Sequence, residues 1–160
     1  MKSLYCGALA AVVAIVGLTQ AQSANKKVVG HDSAREKLIG AWRLVHIEAP
    51  GPDGKEIPIP QPKGMLIYTR DGHMSVQLMY PKSPNVQSNE YVQDGYEASF
   101  GSYDVDEATH TLTHHVHGSV TRDLLVGKDL RRVYQITADG HLIIKSARAD
   151  EHWSVTWEHY

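Results

Sequence analysis

Cysteine is almost missing from this sequence. The one copy in 160 residues, Cys6, sits in an apolar N-terminal run, so the rest of the chain can form no disulfide and must be held together by its core. A basic surplus is missing too: 16 Lys and Arg stand against 18 Asp and Glu, a formal charge of −2. That balance lacks the cationic face that nucleic acid or an anionic membrane surface requires, and neither is expected as a partner. There is no G-x-S-x-G elbow, no phosphate-binding loop and no dinucleotide fingerprint, so no cofactor is expected. The carboxylates Glu48, Asp53, Glu56, Glu90, Asp94 and Glu97 fall mostly in loops, and no pair is spaced for glycoside hydrolysis.

What is present begins with a leader. Lys2 precedes an apolar run from Leu4 to Leu18, followed by Thr19 and Ala21, small residues at the −3 and −1 positions of a cleavage site after Ala21. A retained membrane anchor is the alternative, but a span wants about 20 apolar residues. Residues 1–21 are thus expected to be a signal peptide and the protein to be secreted or periplasmic, with no membrane contact after cleavage. Losing Lys2 from the 16 basic residues leaves 15 against 18 acidic ones, a formal charge of −3. Residues 22–32 read as a disordered polar segment and 33–160 as one domain.

Within that domain one short helix is expected over 33–39, with Asp32 or Ser33 as cap, Glu36 as capping-box partner and Gly40 as stop. Beyond it the period is two. Strand-like runs cover 41–48, 64–70, 73–80, 99–105, 111–118, 129–137, 141–147 and 152–159, with turn signals at 70–72 and 138–140. The long connections, 49–63 and 81–98, are too short for crossover helices. The sheet is therefore antiparallel, and eight such strands (nine at most) close as an all-β up-and-down barrel, with a two-sheet sandwich as the alternative. The segment 88–100 has helical character and reads as a lid or as a solvated loop.

Alternation sorts the side chains. Met74, Val76, Leu78 and Tyr80 share one face of the third run, and Trp153, Val155 and Trp157 one face of the last. With Tyr68, Tyr103 and Tyr134 these large amphipathic groups line the interior. Buried tyrosines need hydrogen-bond partners, which favours a lined cavity over a filled core.

Several phrases then read together: "EKLIGAWRLVHIEA", "GMLIYTRDGHMSVQLM", "YDVDEATHTLTHHVHGS", "RRVYQI" and the closing "VTWEH". In this order, from about Glu36 to Glu158, the chain resembles the bacterial and fungal lipocalin-like domain family, which implies a calycin-type barrel and a carrier's fold. Gly40-Ala41-Trp42 is similar to the G-x-W signature at the start of lipocalins. There the tryptophan plugs the closed end and an arginine packs over it. The resemblance offers Arg131 or Arg132 for that structural closure. The family commonly ends in "WER", whereas this chain has Trp157-Glu158-His159.

The histidines of "TLTHHVHG" divide by the same alternation. His114 shares a face with Leu112 and Val116 and is expected inside, while His115 and His117 face out. Inside, with Tyr103 as neighbour, His114 could hydrogen-bond a ligand or act as a general acid or base. A buried neutral histidine satisfying a tyrosine is the plainer reading. His115 and His117 lie ~6.6 Å apart and could share a zinc ion, but zinc wants three or four protein ligands and no third is apparent, so no metal site is expected.

The expected function is to bind a small hydrophobic or aromatic molecule inside the barrel, against Tyr68, Met74, Val76, Tyr80, Tyr103, His114, Tyr134 and Trp153. An isomerase, cyclase or hydratase using His114 and Tyr103 on a hydrophobic metabolite is the alternative. Zinc binding by His115 and His117 is the third.

Overall fold

The computed structural model describes residues 33–50, 55, 58–84 and 86–160. The expected leader and polar segment, residues 1–32, lie outside the described residues. The chain folds as a short helix α1 (Ala34–Leu38) followed by eight strands: β1 (Gly40–Glu48), β2 (Lys63–Tyr68), β3 (His73–Met79), β4 (Tyr96–Asp106), β5 (Thr111–Ser119), β6 (Asp129–Ile136), β7 (Leu142–Ser146) and β8 (Ser154–His159). Each strand pairs antiparallel with the next, and β8 returns to β1, closing an eight-stranded up-and-down barrel.

The helix and the short turns sit at one end. Ser33 caps α1 by accepting a hydrogen bond from the Glu36 amide, and the Glu36 carboxylate pairs with Arg70 of the β2–β3 turn at 2.6 Å. Leu38 is fully buried, and Trp42, 1% exposed, donates from its indole to the Leu38 carbonyl at 2.8 Å. Leu66, Tyr68, Tyr103, Leu112 and Leu142 complete this filled end. Burial of a ring of ~200 Å² is worth about 5 kcal/mol before the entropy of ordering, so this plug anchors the barrel.

Trp42 is not covered by an arginine. The ring of His159 lies 3.5 Å from it, centroid to centroid. Arg131 points outward and is exposed, and Arg132, though inward, turns toward the opposite end. The closure inferred for these two arginines from the resemblance is therefore made by the last residue of β8.

Two local features position the interior. β4 starts three residues before the expected run, at Tyr96, because Gln93 and Tyr96 bridge across a tight turn in which Asp94 and Gly95 both have positive φ (52° and 85°). Such a pair is the signature of a hairpin turn whose twist matches the strands. It extends the β3–β4 ladder to Met79↔Tyr96 and brings Glu97 inward. In β5 the register slips between Phe100↔Gly118 and Gly101↔Val116, leaving His117 as the extra residue of a bulge. A side chain at Gly101 would collide with the His115 carbonyl at 1.9 Å. Gly101 is there to let two backbones meet.

Candidate ligand-binding site

Above the plug, the interior changes from apolar to mixed. Tyr68, the last residue of β2, reaches across to β5, and its hydroxyl shares a 2.7 Å hydrogen bond with His114 Nε2. His114 is 7% exposed. Burial, with the nearby charges of Arg132 and His115 acting in the same direction, lowers its pKa to about 3. The ring is therefore neutral at pH 7, able to donate from one nitrogen and accept at the other. Burial pushes the Tyr68 hydroxyl well above its usual pKa, with Arg132 pulling the other way.

Tyr103 stands directly opposite His114 in the β4–β5 ladder, and its ring lies 4.7 Å from that of Tyr68. Its hydroxyl, however, donates to the Thr69 carbonyl at 2.9 Å. The partner of His114 is thus Tyr68 rather than Tyr103, since a tyrosine opposite on the next strand points its hydroxyl along the barrel rather than across it. Met74 and Val76 are buried on the same wall. Tyr134 is buried too, but its amide bonds to the His110 carbonyl and its ring packs on His110 at the closed end, away from the His114 cluster.

Toward the open end, three groups not anticipated there come together. Arg132 is 6% exposed, and its guanidinium lies 4.9 Å from the Trp153 ring and 5.1 Å from the Tyr91 ring. Glu151 holds both rings: it accepts from the Tyr91 hydroxyl at 3.0 Å, from the Trp153 indole at 3.2 Å and from Ser146, and it pairs with Arg148 at 3.3 Å. Arg148 reaches on to Glu90 at 2.8 Å, so the connections 80–95 and 147–153 are tied together across the opening. Thus 88–100 is part cover, through Tyr91, and part strand. Half-buried Tyr80 and Trp153 belong to this rim, and burial, helped by the charge of Glu97, pushes the Tyr80 hydroxyl up to about 12.

Glu97 is the inward carboxylate that the run boundaries 99–105 left outside the barrel. It keeps partial contact with solvent yet is enclosed by protein, and burial raises its pKa to about 7 against the opposing pull of Arg132. The Asp-Gly at 94–95 was the available signal, since a hairpin turn there starts β4 at Tyr96 and its alternation sends Glu97 inward. Nothing in the sequence marks Arg132 as a mouth residue or Glu151 as the hub of the cover.

On the outer wall His115 is held at both nitrogens, by Asp129 at 2.7 Å and Asp104 at 2.9 Å, and these two partners raise its pKa. His117, displaced by the bulge, meets Ser102 Oγ at 3.3 Å instead. The two histidines do not converge, and no group of three or more His, Cys, Asp or Glu side chains among the described residues is arranged to hold a metal. Also outside, a cleft of about 780 Å³ runs over β1 to β4 between Tyr160 and Val120. Its floor is largely strand backbone and exposed side chains such as Met79 and Tyr96, with Glu97 at its edge, whereas His114, Tyr68 and Arg132 face the interior. The interior is the better candidate for recognition.

Residues 39–159 match the family model of the lipocalin-like domain, and the chain belongs to that family. No curated protein matches the sequence. Among solved structures, a redesigned β-barrel is similar at 12% identity and a TM-score of 0.45, over 80% of this chain and 96% of that one. Two single-residue variants of the fluorescent protein UnaG are similar at 15% and 13% identity, with TM-scores of 0.39 and 0.38. Each match covers 78% of this chain and 97% or 96% of the other.

Proposed function

We propose that this lipocalin-like chain is an exported binding protein that holds a small hydrophobic or aromatic molecule inside its barrel. The observation that carries the reading is the interior itself. An all-apolar filling would stabilise the barrel, yet His114, Tyr68 and Arg132 are enclosed there among Met74, Val76 and aromatic rings. Burying polar and charged groups is costly unless they are satisfied, and a few fixed polar groups in an apolar wall are what orients a small ligand. Tyr91 and Trp153 close the opening over Arg132, so a ligand would come in by displacing one of these rings. The signal peptide expected from the sequence of residues 1–21 supports export to the periplasm or beyond.

Native mass spectrometry of the protein purified from its own host tests this. A stoichiometric, non-covalent small molecule, lost on denaturation, is the expected result. Absence of any such molecule, together with no saturable quenching of tryptophan fluorescence by hydrophobic aromatic compounds, would sink the reading.

Catalysis is the second reading, and Glu97 is what favours it. A carboxyl near pH 7 can donate or accept a proton under physiological conditions, whereas His114, held down to about 3, serves better as a hydrogen-bonding group. Turnover of the retained molecule, abolished in Glu97→Gln, would establish it.

A further inference from the structure

The "RR" pair at 131–132 sits on β6, where alternation sends one arginine out and the other in. Arg132 is the buried charged side chain of the barrel among the described residues. A buried charge is stable only when paired or hydrogen-bonded, and Arg132 has one side-chain hydrogen bond, its remaining N–H groups not being fully shut off from solvent. One Nη donates to the neighbouring Arg131 carbonyl at 3.3 Å, and two rings flank the guanidinium. It makes no ion pair with any carboxylate among the described residues.

The surroundings supply no fixed counter-charge. His114 on β5 and Tyr68 on β2 are neutral, and so is the Tyr91 hydroxyl, whose pKa burial raises. The Glu151 carboxylate is already engaged by Tyr91, Ser146, Trp153 and Arg148. Glu97 on β4 is the remaining acid that feels the guanidinium.

We propose that the counter-ion of Arg132 is the ligand, a hydrophobic or aromatic molecule carrying one carboxylate. This rests on the barrel being a small-molecule binder and adds the chemistry of the group that Arg132 recognises. A single buried cation matches a monoanion, and the planar guanidinium matches a carboxylate, which it can engage through two parallel hydrogen bonds. The flanking rings favour a ligand whose anion sits at the opening and whose apolar body runs down toward His114 and Tyr68.

Fluorescence titration of the full chain with 11-(dansylamino)undecanoic acid and with its methyl ester reads this directly. At pH 6 the acid is expected to bind at least tenfold more tightly than the ester. Arg132→Gln should bring the acid down to the level of the ester and leave the ester unchanged. Should that variant not fold, the acid-to-ester ratio in the wild type and in Arg132→Lys still decides, with the lysine variant expected to retain part of the preference. Equal binding of acid and ester overturns the assignment to Arg132 while leaving the barrel a binder. Binding of neither overturns the binding reading and the assignment with it.

Discussion

Glu97→Gln should make the barrel acid-sensitive across a range in which the wild type resists acid. His114 titrates near 3 in the folded protein against 6.5 in the open chain. Between those values the unfolded chain binds the proton more readily, so this histidine lowers stability as pH falls. Glu97 titrates near 7 folded against 4.5 unfolded. The folded protein then binds the proton more readily between 4.5 and 7, so this carboxyl lowers stability as pH rises. Each group has a limiting slope of ~1.4 kcal/mol per pH unit, and from pH 6.5 to 4.5 the two slopes oppose one another. Glu97 keeps some solvent contact and His114 almost none, so the compensation is partial.

Urea unfolding at pH 6.5, 5.5 and 4.5 measures the difference. Across that interval the wild type should lose about 1 kcal/mol or less. Glu97→Gln, with only the histidine slope left, should lose roughly 2–3 kcal/mol. Other shifted groups act elsewhere: the raised His115 contributes stability below pH 6.5 that is lost as pH rises through its folded value. Asp71, Asp106, Asp139 and Asp150, all lowered, lose their contributions below about pH 4. Parallel pH profiles for the two proteins would refute the inward placement of Glu97.

Further outcomes follow from the same interior and from the outer wall. Tyr68→Phe and His114→Phe each leave one buried polar atom without its partner and should cost about 1–3 kcal/mol apiece. The double variant, which removes both, should cost clearly less than their sum in urea unfolding at pH 7, and strict additivity would argue against the 2.7 Å bond. Replacing both His115 and His117 with Thr should destabilise by no more than ~1 kcal/mol at pH 5.5 and by less as pH rises, because the ion pairs to Asp104 and Asp129 need the protonated ring and both aspartates are largely exposed. Stoichiometric zinc in the wild type, lost in that variant, would reverse the reading of the outer wall.

The barrel was legible because it rests on local signals repeated eight times. Period-two alternation marked the strands, the Asp-Gly turns at 71–72 and 139–140 fixed two hairpins, and no segment was long enough for a crossover. The inward placement of His114 followed from the same alternation. Partners were harder to read. Opposite positions on neighbouring strands brought Tyr103 beside His114 in register, but the hydrogen bond goes to Tyr68, three strands away across the interior, and nothing local encodes a contact across a barrel. Glu97 was hidden for a different reason. Its run is polar and partly helical in pattern, and the Asp-Gly at 94–95 that starts its strand lies among loop residues.

Arg132 and His159 belong to one problem. The resemblance to lipocalins offers Arg131 or Arg132 to cover the tryptophan that plugs the closed end. In this chain the last strand ends in Trp157-Glu158-His159, and the imidazole of His159 lies on Trp42 at 3.5 Å. Its ring nitrogen also reaches the Lys37 carbonyl at 3.4 Å, tying the strand end to α1. With the plug covered from β8, the arginine on β6 has no work at that end, and its long side chain runs instead toward Tyr91 and Trp153. There the guanidinium meets the opening rather than the floor. A residue that closes the barrel contributes stability alone, whereas the same residue turned toward the opening places a desolvated cation where a ligand would arrive. Reversing the exchange is therefore informative: His159→Arg supplies a guanidinium at the plug and should leave recognition at the mouth intact, because Trp42 and Arg132 sit at opposite ends of the interior.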